Sequence, residues 1–359
     1  MMTTSARRIT AMAALATVGG TLGALLVATP AFAVPYTVTN GASSGLGSFK
    51  QAIINANLNP GADTIAFNFL APTSQLNLTE ALPTITETVT ITGPGRTALT
   101  VNTAGGAPGL QVNGDTTQLT ISGLTFETTA PDAGTGIELN EANFVATDLH
   151  VRGYPASGLV GDDANVVATD SLFTDNGDVG ISWHGDNTDA ELEGLSLQRV
   201  DLTNNSYGAL LDTNGSTGGI TFAQVEASRN IFDGVQISGS DFGPILFDGG
   251  QYNDNTNGID LDLDSVTDPN LVLIQNGTQI NTNDGTGLVA DLDSVLGLLV
   301  IGATITGNGA VSPQEGGGIR YAGDTAGLLV QQSTVSNNAA TAGGGVYVSS
   351  LVGPGAVVN

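Results

Sequence analysis

The sequence has no cysteine, so disulfides and thiolate metal sites are closed to it. Basic residues are nearly as scarce: 8 Lys and Arg stand against 34 Asp and Glu, for a formal net charge of −26. A chain that acidic excludes nucleic acid and anionic membranes as partners and repels polyanionic substrates. Neutral glycans, cations and basic partners remain. With 2 His, the usual zinc and haem centres are excluded as well. Beyond residue 33 no apolar run is long enough to span a bilayer. What the chain has in excess is glycine, 50 of 359 residues.

Residues 1–33 read as a secretory leader. Arg7 and Arg8 precede an apolar run of Ala, Leu and Val, and Ala31-Phe32-Ala33 is a small-x-small cleavage site. The expectation is a secreted or cell-surface protein. Removing the leader takes two basic residues and no acidic one, leaving the rest two charges more negative.

The glycines carry a repeat. Glycines 136, 158, 180, 208, 234, 258, 287, 318 and 345 each precede apolar residues at the first and third following positions. The first position reads Ile137, Leu159, Ile181, Ala209, Val235, Ile259, Leu288, Ile319, Val346. The third is apolar throughout except at Gly161, and includes Trp183, which is thereby assigned to the core. Most of these glycines follow a short strand closing in Asn, as in SLFTDNG, VDLTNNS, VEASRNI, INTNDG and ATITGNG. Asn and Gly suit corners, and asparagines can stack. Each repeat is then one turn of a coil, with successive turns paired in parallel at ~4.8 Å. The spacing varies from 22 to 31 residues, which places insertions in the connecting loops. Residues 63–126 hold short β-type runs cut by Gly and Pro and extend the same design.

Within a cap spanning 34–62, residues 48–57 (SFKQAIINAN) read as an amphipathic helix. Ser48 and Gln51 form a capping box, while Phe49, Ala52, Ile53 and Ala56 share one face. Laid across the end of a coil, such a helix would cover its open edge.

The stretch GSFKQAIINANLNPGADTIAFNF resembles the C-S-L-R-E-A-I, N-A-N and G-A-D-T-I motifs at the start of many exported bacterial parallel β-helix proteins. Gly47 stands where that motif has Cys, and Phe49, Lys50 and Gln51 replace its Leu, Arg and Glu. The resemblance implies an all-β, right-handed parallel β-helix (solenoid) of the pectate-lyase-like kind over 63–359, closed by a short N-terminal cap helix. The chain stops at VVN as if opening another strand, which implies a shortened reading frame or an end closed by dimerisation.

With the repeat aligned, the fourth residue after each glycine forms an outward column: Asn140, Asp162, His184, Asp212, Ser238, Asp262, Asp291, Ala322, Ser349. The sixth forms a second: Ala142, Ala164, Asp186, Asn214, Ser240, Asp264, Asp293, Asp324, Leu351. A long polar stripe suits display, adhesion or glycan binding without catalysis, and that is the leading expectation. The alternative is a polysaccharide-degrading enzyme. Asp162, Asp163, Asp186 and Asp212 surround His184, and inverting glycosidases need two carboxyls flanking a bond. The fragments GDD, WHGD and NTD resemble those of polygalacturonases, though in the wrong order and with no R-I-K after them. Lyase chemistry is weaker still, since Lys50 is the sole lysine and lies in the cap. His150 reads as a surface residue without partners.

The stretches GIDLDLDSV and GLVADLDSV place Asp262 against Asp291 and Asp264 against Asp293, with Asp324 on the next turn. Like charges stacked this way repel unless something neutralises them. Calcium suits several carboxylates with loose geometry, so weak calcium binding by these five aspartates is expected.

Overall fold

The structure is a computed structural model that describes residues 32–69, 74–185, 193–215, 218–240, 242–264, 271–311, 315–323, 327–351 and 357–358. The leader assigned to 1–33 therefore lies almost wholly outside the described residues, as do Asp186 and Asp324.

Every strand pairing among the described residues is parallel, and the chain winds as a right-handed parallel β-helix of about 11 turns. A long, sixteen-stranded sheet runs from Pro35–Val38 to Val357–Val358. A ten-stranded sheet runs from Leu110–Asn113 to Val346–Leu351 and contains the glycine-led repeats. A short third face comprises Gln279–Asn281, Thr304–Thr306 and Thr334–Ser336. Single parallel bridges continue that face upstream through Gln251, Glu226, Asp201 and Leu172.

The expected register is present. Ile259 pairs with Val235 on one side and Leu288 on the other, and all three are buried. The column also extends one turn further upstream than the sequence reading placed it, because Leu110 follows Gly109 and pairs with Ile137. These glycines are set by close approach between turns. A Cβ on Gly234 would lie 2.6 Å from the Gly258 carbonyl oxygen and 2.9 Å from the Asn255 side-chain nitrogen. The interruption at Gly161 has a similar cause: a Cβ there would crowd Trp183 at 3.2 Å. Trp183 is buried on the inward column as expected, and its indole N–H donates to the Ala164 carbonyl at 2.8 Å.

The corner before the ten-stranded sheet is an asparagine ladder. Asn176, Asn205, Asn230, Asn255, Asn283, Asn308 and Asn338 stack on successive turns. Each backbone N–H donates to the next side-chain oxygen, at 2.9–3.0 Å. The side-chain nitrogens donate back to backbone carbonyls of the preceding turn, as from Asn255 to Ala227 at 2.9 Å. Corner polar groups that would otherwise be buried unpaired are thereby satisfied.

The cap helix α1 spans Phe49–Leu58, one residue later than the sequence suggests, with Ser48 as its N-cap. Phe49, Ala52, Ile53 and Ala56 are buried, as the pattern implied. The capping box is half formed. Ser48 accepts from the Gln51 backbone N–H at 3.2 Å, but the Gln51 side chain donates to Asn55 instead of reaching back. Two further residues of the quoted stretch tie the cap to the coil. The buried Asp63 accepts from the Val34 N–H and the Asn59 amide at 2.7 and 2.9 Å. Asn57 donates to the Thr84 carbonyl and accepts from the Thr86 N–H.

Candidate functional site

The outer face of the ten-stranded sheet collects the acidic residues. Alternation along each strand turns the first and third residues after the glycine inward, and the second and fourth outward. The fourth-position column is continuous: Asn140 pairs with Asp162, Asp162 with His184, His184 with Asp212, and Asp212 with Ser238. Ser238 then pairs with Asp262, and Asp262 with Asp291. At its far end a register slip sets Ser350, not Ser349, opposite Ala322.

Of the first predicted cluster, Asp162, His184 and Asp212 come together on three adjacent strands. The His184 Nδ1 lies 3.3 Å from Asp212 Oδ2, both side chains about two-fifths exposed (39% and 43%). A pair that open to water contributes little to stability. Asp163 leaves the group. It occupies a left-handed corner (φ 49°) and lines a narrow crevice with Asp115, Glu141 and Glu193. The sixth-position column is not outward throughout, since Ala142 and Ala164 are buried at 2% and 0% exposure. Further along it does carry Asp264 against Asp293, both exposed. Among the described residues, no three acidic or histidine side chains are grouped to hold a metal ion.

His150 is no free surface residue. It is partly buried, its Nε2 lies 2.9 Å from the Thr174 hydroxyl, and burial lowers its pKa to about 4.

The outward column at the second position had drawn no attention in the sequence, and it contains Asp260. This side chain is partly buried, and its pKa is raised to about 6, first by burial and then by Asp233, Asp262 and Asp291. Arg320, three strands along if Asp260's own is counted, opposes the shift without cancelling it. Asp233, 7% exposed, accepts from the Asn257 backbone and side chain at 3.1 and 3.0 Å, and burial still raises its pKa. On the loop side of this group Tyr207 and Phe232 stack, with ring centroids 4.9 Å apart and planes 27° apart. Phe232 is 46% exposed and its neighbour Ile231 67%. The Tyr207 hydroxyl feels Asp233, Asp178 and Asp260, which ties the aromatic pair to the carboxyl group. The signal was present in GIDLDLDSV, where Asp260 keeps the same alternation as Asp262. Its distinct environment comes from three other turns.

Neither a protein-family model nor the sequence of a curated protein matches the chain. Solved structures do resemble it. The A-module of the mannuronan C-5 epimerase AlgE4 from Azotobacter vinelandii is 15% identical, covers 90% of this chain and 96% of its own, and gives a TM-score of 0.56. The A-module of AlgE6 from the same organism is 15% identical over 89% of this chain and 99% of its own, with a TM-score of 0.51. At that identity the likeness establishes a pectate-lyase-like parallel β-helix and nothing about chemistry.

Proposed function

We propose that this is an exported protein that binds and hydrolyses a neutral polysaccharide on the outer face of the ten-stranded sheet. Asp260 acts as proton donor, and Asp262 or Asp291 activates the water. The observation that carries this is Asp260 itself: a carboxyl held to about 6 on an outward column, between other carboxylates and beside an exposed aromatic stack. An inverting glycosidase needs one protonated and one ionised carboxyl roughly 6.5–9.5 Å apart. Strand rise and strand spacing set the Cα atoms of Asp260 and Asp291 about 8 Å apart. The Tyr207–Phe232 pair supplies an apolar surface for the C–H face of a sugar ring, and the carboxyls meet its hydroxyls. The neighbours of like fold are by name modules that modify a polysaccharide, which supports the substrate class. Their mannuronan is a polyanion, and a face this acidic favours an uncharged chain instead. Placing catalysis at Asp260 moves the hydrolase alternative away from Asp162, His184 and Asp212, of which His184 and Asp212 stand about two-fifths exposed to water.

A second reading, glycan binding or adhesion without cleavage, is favoured by the polar column that continues from Asn140 to Asp291. Reducing-end release separates the two. Neutral α- and β-glucans, xylan and mannan should yield new reducing ends at pH 5, with the rate falling above pH 6. Asp260→Asn should abolish release while leaving the fold intact. No release from any of these polymers between pH 4 and 7 would leave the binding reading in its place.

A further inference from the structure

A cleft of about 450 Å³ lies on a different part of the coil, where the long sheet turns into the short third face. Its origin is legible in one corner position. Each turn bends there through a residue in the left-handed region: Asp148, Asp170, Arg199 and Gln224, then Gly249 and Asn276. In the earlier turns the corner is filled by ion pairs, Arg96 with Asp148 and Arg199 with Asp170. From Gly249 onward the filling ends. Gly249 and Gly250 carry no side chain, and a Cβ on Gly277 would meet nothing within 4 Å.

One wall is a ladder of four turns, Asp201, Glu226, Gln251 and Gln279, joined by parallel bridges. Gln224, Asp248 and Asn276 face it. Much of this chemistry is already engaged. The Arg229 guanidinium donates to Glu226 at 3.3 Å, and Gln275 and Asn276 donate to Asp248. Asp201 differs: it is half-buried, and no hydrogen bond reaches its carboxyl among the described residues. Burial and the adjacent Glu226 raise its pKa, so it holds its proton to higher pH than a free aspartate.

The lining selects among ligand classes. No Lys, Arg or His lines the cleft, and three carboxyls do, which excludes anions. Val225, the one apolar residue in the lining, is itself fully buried, so the cleft offers no apolar side chain to hold a hydrophobic molecule. Side-chain amides both donate and accept, and carboxyls accept, which is the pattern sugar hydroxyls require. The volume falls within the range of small-ligand sites. We propose that the cleft between Asp201 and Gln279 is a second carbohydrate site, distinct from the ten-stranded face, which holds a neutral oligosaccharide through Asp201, Gln224, Gln251 and Gln279. It retains the polymer and has no part in cleaving it.

The test is calorimetric titration of the protein with neutral gluco-, xylo- and manno-hexaoses and with glucosamine hexaose. An Asp260→Asn background prevents turnover. At least one neutral hexaose should bind, and Asp201→Ala or Gln251→Ala should each weaken that binding about tenfold, the equivalent of one or two lost hydrogen bonds. Gly277→Asn, which puts a side chain into the open space at a conformation Asn tolerates, should do the same, with melting curves verifying that each variant folds. With Asp260 restored, the cleft variants should keep reducing-end release from short soluble substrates. No binding by any hexaose, or binding that all three variants leave unchanged, would overturn the proposal. So would binding confined to glucosamine oligomers, which would make the site one for cations. Loss of binding in the cleft variants of a protein that cleaves nothing would uphold this site and remove the hydrolase reading alone.

Discussion

At the scale of single residues, two titrating groups bend the stability curve in opposite directions. Asp260 has its pKa raised from 3.8 to about 6 in the folded protein, so folding favours its protonated form. The stability it contributes is complete below about pH 4 and is lost as pH rises through 6. His150 has its pKa lowered from 6.5 to about 4, so its contribution is complete above pH 6.5 and is lost as pH falls toward 4. Asp260→Asn should therefore gain in melting temperature relative to the unaltered protein as pH is raised from 4 to 7, and His150→Gln should gain as it is lowered over the same range. Parallel melting curves across that range would show that neither group is perturbed. Neither environment could be read from the sequence. A period-two pattern says which way Asp260 points, but not that the carboxylates of residues 233, 262 and 291 gather around it as it is partly buried. His150 looked exposed because the Thr174 that meets it belongs to the next turn.

At the scale of elements, most of the fold was legible, because a solenoid repeats its local rules. Gly before an inward apolar pair, and Asn before Gly, recur until they form columns. What the pattern left unstated is why the rules are strict. Asn255 accepts from the Asn230 backbone at 2.9 Å and side chain at 3.1 Å and donates to Ala227, all in the interior. Asn255→Ala would orphan a buried N–H and weaken a carbonyl's pairing, at a cost of about 2–3 kcal/mol. Gly234→Ala would drive a methyl against the Gly258 and Ala227 carbonyl oxygens at 2.6 and 2.8 Å, neither of which can yield without moving a strand. Its cost should be of the same order, about 1–3 kcal/mol. Chemical denaturation of both variants checks this; a loss under 0.5 kcal/mol in each would mean that the corner is looser than its hydrogen bonds imply. The cap shows the reverse case. Its helix could be read from apolar spacing, whereas the jobs of Asn57 and Asp63 depend on partners at residues 84, 86 and 34.

At the scale of the whole molecule, charge is the dominant fact, and it is unevenly placed. Five basic residues beyond residue 33 are spent in ion pairs away from the ten-stranded face: Lys50, Arg96, Arg152, Arg199 and Arg229. Arg320 alone stands on that face, against Asp260, Asp262, Asp264, Asp291 and Asp293. Asp262 and Asp291 are direct neighbours, as are Asp264 and Asp293. Carboxylates at the ~4.8 Å strand spacing repel by about 1 kcal/mol even at the dielectric of water. Salt should relieve that repulsion, since the Debye length shrinks from about 10 Å at 0.1 M to about 3 Å at 1 M. The double change Asp262→Asn, Asp291→Asn should therefore raise the melting temperature most at low salt, and its advantage should shrink as sodium chloride is added. Calcium offers a separate readout. If the expected weak site exists, millimolar calcium will raise the melting temperature of the unaltered protein more than sodium at matched ionic strength, and the double variant will lose that difference. Equal melting points with calcium and with chelator would retire the calcium site while leaving the repulsion intact. A double variant no more stable at low salt than its parent would mean that the side chains splay far enough into water for their charges not to be felt.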